Sequence, residues 1–126
     1  SQKSIKETNY HLRHSSNWII RLGDGTQESH KKVQLAINNL WMFTDELFEM
    51  NNNATEMKKQ KIGVDCQTLK PEWDKIVNDI FLIATIHKPI NEHMATGGRQ
   101  GIHTEHLGHL LSDMQYLQRA YPDAIW

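Results

Sequence analysis

The spacing of the apolar residues constrains the fold of this chain more than any other feature, because they recur every three to four positions along most of its length. Val33, Ile37 and Leu40 show this spacing in one segment. Such spacing places the apolar side chains on one face of an α-helix. No segment shows the alternation of polar and apolar residues that is typical of a β-strand. The sequence therefore predicts an all-α protein.

Glycine, proline and asparagine residues divide the chain into four predicted helices. The run of asparagines at residues 51–53 ends the second helix, and Pro71 suits the first turn of the third. A glycine-rich loop at residues 97–101 precedes the last helix. A polar stretch at residues 55–61 is expected to add one helical turn. The predicted helices span, with approximate ends, residues 1–22, 26–50, 68–86 and 104–120.

The turn between the first two predicted helices carries residues that usually end one helix and begin the next. Gly23 suits the left-handed backbone conformation that follows many helices. Either Asp24 or Thr26 can cap the second helix, because a short oxygen-bearing side chain accepts a hydrogen bond from a free backbone N–H of the first turn. Residues 23–26 are therefore predicted to separate two distinct helices.

The composition predicts a soluble, cytoplasmic protein with one domain, residues 1–126. The chain has 14 Lys and Arg against 15 Asp and Glu, whereas a nucleic-acid-binding domain usually carries a clear basic excess. Its one cysteine, Cys66, excludes a secreted scaffold held by internal disulfides. The longest apolar run, residues 80–84, is far shorter than the ~20 residues of a membrane-spanning helix. We therefore expect neither a nucleic-acid partner nor a membrane.

The first predicted helix carries two distinctive faces. At about 100° per residue, Ile5, Leu12 and Ile19 fall on one of them. The opposite face carries residues at the spacing of an inward bundle seam: Glu7, His11, His14 and Trp18. A helix with two such faces usually packs between two partners. The chain also starts within this helix without a capping residue, so we expect a longer helical protein in which another segment or chain covers the apolar surface.

The first candidate for a metal site is the set of Glu7, His11 and His14. A carboxylate and two imidazoles on one helix face can bind a transition metal. Di-iron sites in helical bundles, however, use a Glu and a His three residues later, and the residue three after Glu7 is Tyr10. The predicted inward positions of the second helix also carry no carboxylate or imidazole. We therefore favour a structural or vestigial polar seam, and a working metal site is the alternative.

A second group of candidates lies near the last predicted helix. His103, His106 and His109 are three residues apart, so at about 100° per residue they spread over too wide an arc to bind one ion. At most His103 and His106 share a ligand set. The favoured alternative is that His103 and Glu105 cap and anchor the start of the helix and that His109 is solvated. Arg99 lies in the glycine-rich loop, where its guanidinium suits a phosphate or carboxylate of a ligand or partner.

The aromatic residues and the cysteine point away from chemistry carried by this chain. Trp18 and Trp41 are predicted to be core or interface residues, because large aromatic side chains dominate the energetics of both. The near-neutral charge argues against their stacking on nucleic-acid bases. Cys66 lies in a polar linker with no activating base near it in sequence, so nucleophilic catalysis is not indicated.

Several segments of the chain together carry a resemblance to a known family: residues 6–14, 18, 21–26, 40–41, 46–48, 101–108, 114–119 and 121–122. These segments resemble the C subunits of the bacterial phenylacetyl-CoA 1,2-epoxidases, the multicomponent ring oxygenases of phenylacetate degradation. The resemblance covers nearly the whole chain and includes the turn between the first two helices and the start of the last helix.

This resemblance implies a ferritin-like helical bundle about twice as long as this chain. The chain would correspond to the C-terminal half of that bundle. It implies a role beside a catalytic A subunit of the same fold, which holds the di-iron centre and binds the CoA thioester. Members like this one are expected to have lost the metal, so the resemblance implies no cofactor in this chain. Glu7 and His11 would then occupy positions of the metal ligands in the catalytic paralogue, and the tyrosine at position 10 fits the loss.

The leading hypothesis is a non-catalytic, structural subunit of a multicomponent di-iron oxygenase that epoxidises the ring of phenylacetyl-CoA. Its partners would be the catalytic A subunit and, through self-association, a second copy of the chain. Two alternatives remain open. In one, the chain is itself a metal-dependent, di-iron oxygenase that uses Glu7, His11 and His14; in the other, it is a plain four-helix protein of unrelated function.

Overall fold

The computed structural model describes residues 2–90 and 93–125, and helices are the dominant element throughout these ranges. No strand occurs within them, so the all-α prediction is confirmed there, and the arrangement is consistent with a ferritin-like helical bundle. Ser1, which the first predicted helix includes, lies outside the described residues. The α-helices are α1 (Gln2–Gly23), α2 (Gln27–Leu40), α3 (Asn52–Lys59), α4 (Lys70–Ile83), α5 (His106–Met114) and α6 (Tyr116–Ala120).

The turn between α1 and α2 separates two helices that pack against each other, as expected from residues 23–26. Of the two predicted caps, Thr26 is the one used, because its side chain accepts a hydrogen bond of 3.1 Å from the Ser29 backbone N–H. Gly23 does not adopt the left-handed conformation predicted for it. It is the last residue of α1, and its missing side chain lets the backbone of Ala84 approach closely.

The second predicted helix, residues 26–50, is divided in the structure. The α-helix ends at Leu40, and two 3₁₀ turns follow at Trp41–Phe43 and Asp45–Phe48. A 3₁₀ turn has three residues rather than 3.6, so the side chains after Leu40 rotate away from the predicted apolar stripe. Leu47, predicted to point inward, is consequently 55% exposed, whereas Phe48 is buried.

The asparagines after this segment begin a helix as well as ending one. The Asn51 side chain accepts a hydrogen bond of 2.8 Å from the Ala54 backbone N–H and so caps α3. The helical turn expected at residues 55–61 is therefore a longer helix that starts at Asn52. Asparagine is common both in turns and at helix caps, so the sequence alone does not distinguish these two roles.

Helix α4 is shorter than the predicted span of 68–86, because other conformations replace the helix at both ends. A 3₁₀ turn at Cys66–Leu69 leads into it, and Pro71 lies in its first turn, as predicted. At the other end Thr85 has a left-handed backbone with a φ of 57°, and the Ile86 N–H donates to the Phe81 carbonyl oxygen. This arrangement is a Schellman motif, which ends helices.

The last predicted helix, residues 104–120, consists of α5 and α6 with a break at Gln115. Its apolar stripe is left largely open within the described part of the chain, and only Leu107 is half-buried. The members that remain exposed are Leu110, Leu111, Met114 and Leu117.

The folded chain buries little of its apolar surface. Only Phe48, Ala84 and Ile86 are buried hydrophobic residues among those described. The accessible surface is 10503 Å², whereas a compact protein of 14.7 kDa exposes about 7,000 Å². About a third of the accessible surface is therefore in excess of that expected for a compact fold. None of the described helices combines the length and the apolar character needed to cross a membrane.

Candidate functional site

A row of three rings in contact with one another runs along the exposed face of α1. The rings of Tyr10 and His14 lie 5.7 Å apart at an interplanar angle of 25°, and the Trp18 ring meets His14 edge-on at 6.3 Å. Residues four apart on a helix are neighbours on its surface, which explains the row. Trp18 is 48% exposed, so its predicted role as an interface residue is compatible with its position.

The candidate metal ligands Glu7, His11 and His14 lie on this same open side of α1. Glu7 borders a surface hollow together with Lys3 and Lys6. Within residues 2–90 and 93–125, no group of three His, Cys, Asp or Glu side chains converges closely enough to hold a metal ion. A di-iron centre needs ligands from facing helices. The described residues therefore do not form such a ligand set, and the vestigial seam remains a prediction.

An apolar groove lies between α1 and α4, on the opposite side of α1 from the ring row. It has a volume of about 440 Å³ and is open to solvent along its length. Leu12 and Ile19 form one wall, together with the small side chains of Ser15 and Ser16. The facing wall and floor come from α4: Trp73, Ile76, Val77, Ile80 and Phe81. The groove is therefore lined largely by residues of the predicted apolar stripes of α1 and α4.

Trp41, predicted as a core or interface residue, lies in an aromatic cluster within the chain. Its ring is 5.8 Å from that of Trp73 and 5.7 Å from that of Phe81, and the Trp73 ring meets Phe48 edge-on at 5.4 Å. Aromatic pairs at these separations add stability beyond the area that they bury. Trp41 therefore joins the 3₁₀ turns to α4. Trp18, by contrast, is exposed on α1.

Two lysines cover the aromatic cluster and link it to carboxylates. Lys70 Nζ lies 2.8 Å from Asp45 Oδ1 and 4.9 Å from the centre of the Phe48 ring. Lys88 Nζ lies 2.9 Å from Asp74 Oδ1 and also packs over an aromatic ring. These ion pairs are partly exposed, so their contribution to stability is small. They connect α4 with the second 3₁₀ turn and with the segment that follows α4.

The glycine-rich loop is held by carboxylates that sequence reasoning missed. The Gly97 N–H donates to both carboxylate oxygens of Glu49 at 3.1 Å, and the Gly98 N–H donates to Glu46 Oε1 at 3.2 Å. Gly97 has a φ of 87°, a conformation that glycine adopts at no steric cost. Arg99, predicted to meet a ligand or partner, donates to the Leu47 carbonyl oxygen at 3.4 Å.

The two candidate histidines near α5 have different surroundings in the structure. His103 lines an open cavity of about 600 Å³ together with Glu46 and His93. His106 is the first residue of α5 and does not line this cavity. The start of α5 carries no side-chain cap, so no anchoring hydrogen bond from this region is present in the described residues.

The pKa of the Asp65 carboxyl group lies below its ordinary value. The hydrogen bond from Lys58 lowers the pKa, burial opposes this change, and the N–H of Gln67 lowers the pKa further. Asp65 caps the 3₁₀ turn at Cys66–Leu69. The lowered pKa of Asp65 therefore belongs to a local structural contact.

Comparison with known proteins identifies a family and one curated relative. The family model described as phenylacetic acid catabolic protein matches residues 1–126. The chain is 46% identical over 126 residues to the Escherichia coli (strain K12) protein named as the C subunit of 1,2-phenylacetyl-CoA epoxidase. The match covers 100% of this chain and 51% of that relative. The chain thus spans about half the length of the curated relative that it matches.

Proposed function

Because the chain belongs to the phenylacetic acid catabolic protein family, we propose that it is part of a non-catalytic, structural subunit of a multicomponent di-iron oxygenase. This oxygenase epoxidises the aromatic ring of phenylacetyl-CoA during phenylacetate catabolism in the cytoplasm. The observation that carries the proposal is the 46% identity, along the whole chain, to a protein named as the C subunit of 1,2-phenylacetyl-CoA epoxidase. In this proposal the di-iron centre belongs to a catalytic A subunit of the same fold.

The surface of the chain supports a role in assembly. Obligate subunit interfaces are large and apolar and resemble a core cut in half. The groove between α1 and α4 is lined mostly by apolar side chains, and the exposed Trp18 offers the kind of aromatic side chain that dominates binding energy at interfaces. Glu7, His11 and His14, by contrast, lie along one open helix face, where the described residues supply no facing ligands.

Metal analysis of the complete protein, purified without partner subunits, tests the proposal. We expect negligible iron per chain by elemental analysis. About two irons per chain would overturn the proposal, because a di-iron site requires a complete ligand set. That outcome would favour the alternative, in which the chain is itself an oxygenase that uses Glu7, His11 and His14.

Reconstitution of the complex from variant subunits also distinguishes a structural subunit from an oxygenase. The proposal expects Glu7→Ala to leave both assembly with the catalytic subunit and the epoxidation rate unchanged. Trp18→Ala is expected to weaken assembly by about tenfold or more, as for an exposed aromatic residue that is buried in an interface. Loss of epoxidation in the Glu7→Ala complex, with assembly intact, would contradict the structural role.

A further inference from the structure

The link between Asp24 and Gly25 lies in the turn that joins α1 to α2. Asp24 is the only aspartate of the chain that is followed directly by a glycine. Glycine has no side chain, so its backbone nitrogen can approach the carboxyl group of the preceding aspartate more closely than that of any other residue. Among the aspartates of this chain, Asp24 is therefore the one whose side chain is least hindered from reacting with the backbone.

The peptide group between these two residues is left free by a turn that is anchored on each side of it. The Asp24 N–H donates to the Ile20 carbonyl oxygen at 2.9 Å, and Thr26 caps α2. Within residues 2–90 and 93–125, the Asp24 carbonyl oxygen and the Gly25 N–H make no hydrogen bond, and the Asp24 carboxylate has no partner. The two groups that would react are thus adjacent in the chain and unengaged.

We propose that Asp24 is a modification site at which the chain isomerises spontaneously to isoaspartate. The Gly25 nitrogen attacks Cγ of the Asp24 carboxyl group, and its proton leaves with the carboxyl hydroxyl as water, which closes a five-membered succinimide ring. Water then opens the ring at one of its two carbonyl carbons. Cleavage of the bond from nitrogen to Cγ restores aspartate, whereas cleavage of the bond from nitrogen to the backbone carbon gives isoaspartate. Because the step is intramolecular, it needs water but no partner and no docking surface.

The modification changes the connection between α1 and α2. In isoaspartate the chain continues through Cγ, so the link to Gly25 is one methylene longer, and a free carboxylate remains on Cα. The contacts on either side of this link are tight: Gly23 lies against Ala84, and Thr26 accepts its capping hydrogen bond at 3.1 Å. A longer link displaces one of these contacts, and loss of a cap lowers stability. The modified protein is therefore expected to unfold at a lower temperature than the unmodified protein.

Ageing of the complete, folded protein at neutral pH and physiological temperature tests this proposal. Isoaspartate is located by peptide mass spectrometry with a fragmentation method that distinguishes it from aspartate, and its amount is measured by methylation with an isoaspartyl methyltransferase and S-adenosylmethionine. We expect isoaspartate to accumulate with time at Asp24. Asp113, an exposed aspartate followed by methionine, is the control within the same chain and should stay at its starting level.

Two variants test the chemistry of the ring. Asp24→Asn forms the same succinimide by losing ammonia, a better leaving group than water here, so isoaspartate should appear several times faster. Asp24→Glu keeps the carboxylate but would have to close a six-membered ring, so the signal at position 24 should be lost. Circular dichroism establishes that both variants are folded. The proposal is overturned if folded wild type forms no isoaspartate at Asp24, forms it only in urea, or forms as much at Asp113; none of these results bears on the proposed function.

Discussion

At the end of α1, the backbone of Gly23 lies so close to the segment after α4 that no side chain fits. A Cβ atom at this position would stand 2.5 Å from the Ala84 carbonyl oxygen and 2.9 Å from the Ala84 Cβ. Both Ala84 and Ile86 are buried here, so they have little room to move. We expect Gly23→Ala to lower the free energy of unfolding by about 1–3 kcal/mol, measured by urea denaturation.

Gly108 provides the matched control for this substitution. It lies in α5, and no heavy atom stands within 4 Å of a Cβ built on it. Alanine is a better helix former than glycine, so Gly108→Ala is expected to raise the free energy of unfolding by up to about 1 kcal/mol. Equal effects of the two substitutions would contradict the close approach at Gly23.

Thr85 has a backbone conformation that is unfavourable for a β-branched residue. Its φ of 57° lies in the left-handed region, where a Cβ atom crowds the following carbonyl oxygen. We expect Thr85→Gly to raise the free energy of unfolding by about 1 kcal/mol, measured by thermal or urea denaturation. Thr85→Ala keeps the Cβ atom and should give little gain, which separates the backbone effect from loss of the long contact of 3.4 Å to the Gly23 carbonyl oxygen.

At the scale of elements, the amide of Gln34 joins α2 to the segment after α4. Its Nε2 donates to the His87 carbonyl oxygen at 2.8 Å, and its Oε1 accepts from the His87 N–H at 2.9 Å. Loss of two such hydrogen bonds costs about 1–2 kcal/mol. We expect Gln34→Ala to lower the free energy of unfolding by this amount. Gln60→Ala, which removes only a contact to Glu56 within the same exposed helix, should change it by less than about 0.5 kcal/mol.

The glycine-rich loop is attached to the second 3₁₀ turn by the Glu49 carboxylate. Hydrogen bonds to charged groups contribute about 1.5–3 kcal/mol, so their loss should allow the loop to open more often. We expect Glu49→Ala to speed hydrogen exchange of the Gly97 amide by about tenfold or more, measured by NMR. Glu28→Ala, which removes only a surface pair with Lys32, serves as the control. An unchanged exchange rate at Gly97 would show that other contacts hold the loop.

The sequence predicts where the helices lie better than where they end. Periodicity identifies the segments of α1, α2 and α4 because tertiary packing there follows the helical stripe. The end of α2 at Leu40 is not predictable in this way, because no glycine or proline marks it and the turn toward Trp73 depends on distant contacts. The break at Gln115 is equally unmarked in the sequence.

Side-chain pairing between distant segments also lies beyond sequence reasoning. The spacing of Tyr10, His14 and Trp18 is enough to place their rings in one row, because that row is local to a helix. The contact of Arg99 with Leu47 spans fifty-two positions of the chain, and only the fold brings these residues together. Local periodicity carries no information about such pairs.

At the scale of the whole molecule, we expect the apolar groove to be covered in the assembled protein, since exposed apolar patches of this kind mark interaction sites. Ile76 lines the groove and is 36% exposed, whereas Leu82, on the same helix but outside the groove, is 80% exposed. We expect Ile76→Asp to destabilise the assembled complex by several kcal/mol, because it buries an unpaired charge. Leu82→Asp should have little effect.

Thermal unfolding of the complete protein, with and without its partner subunit, measures the difference in stability between the Ile76→Asp and Leu82→Asp variants. A similar loss of stability in the two variants would mean that the groove stays open to water in the assembly. A large loss for Ile76→Asp in the complete protein alone would place the covering segment within the same chain, and a loss seen only in the complex would place it on the partner.

The contact between Gln34 and His87 has a consequence for which substitutions the protein tolerates. His87 takes part through its backbone N–H and carbonyl oxygen. Every residue except proline has both groups, so the side chain at position 87 is free to change. Gln34 is held by the atoms of its side chain, and asparagine would fall one methylene short. In a library of all single substitutions, position 34 should therefore accept few residues and position 87 should accept nearly all but proline.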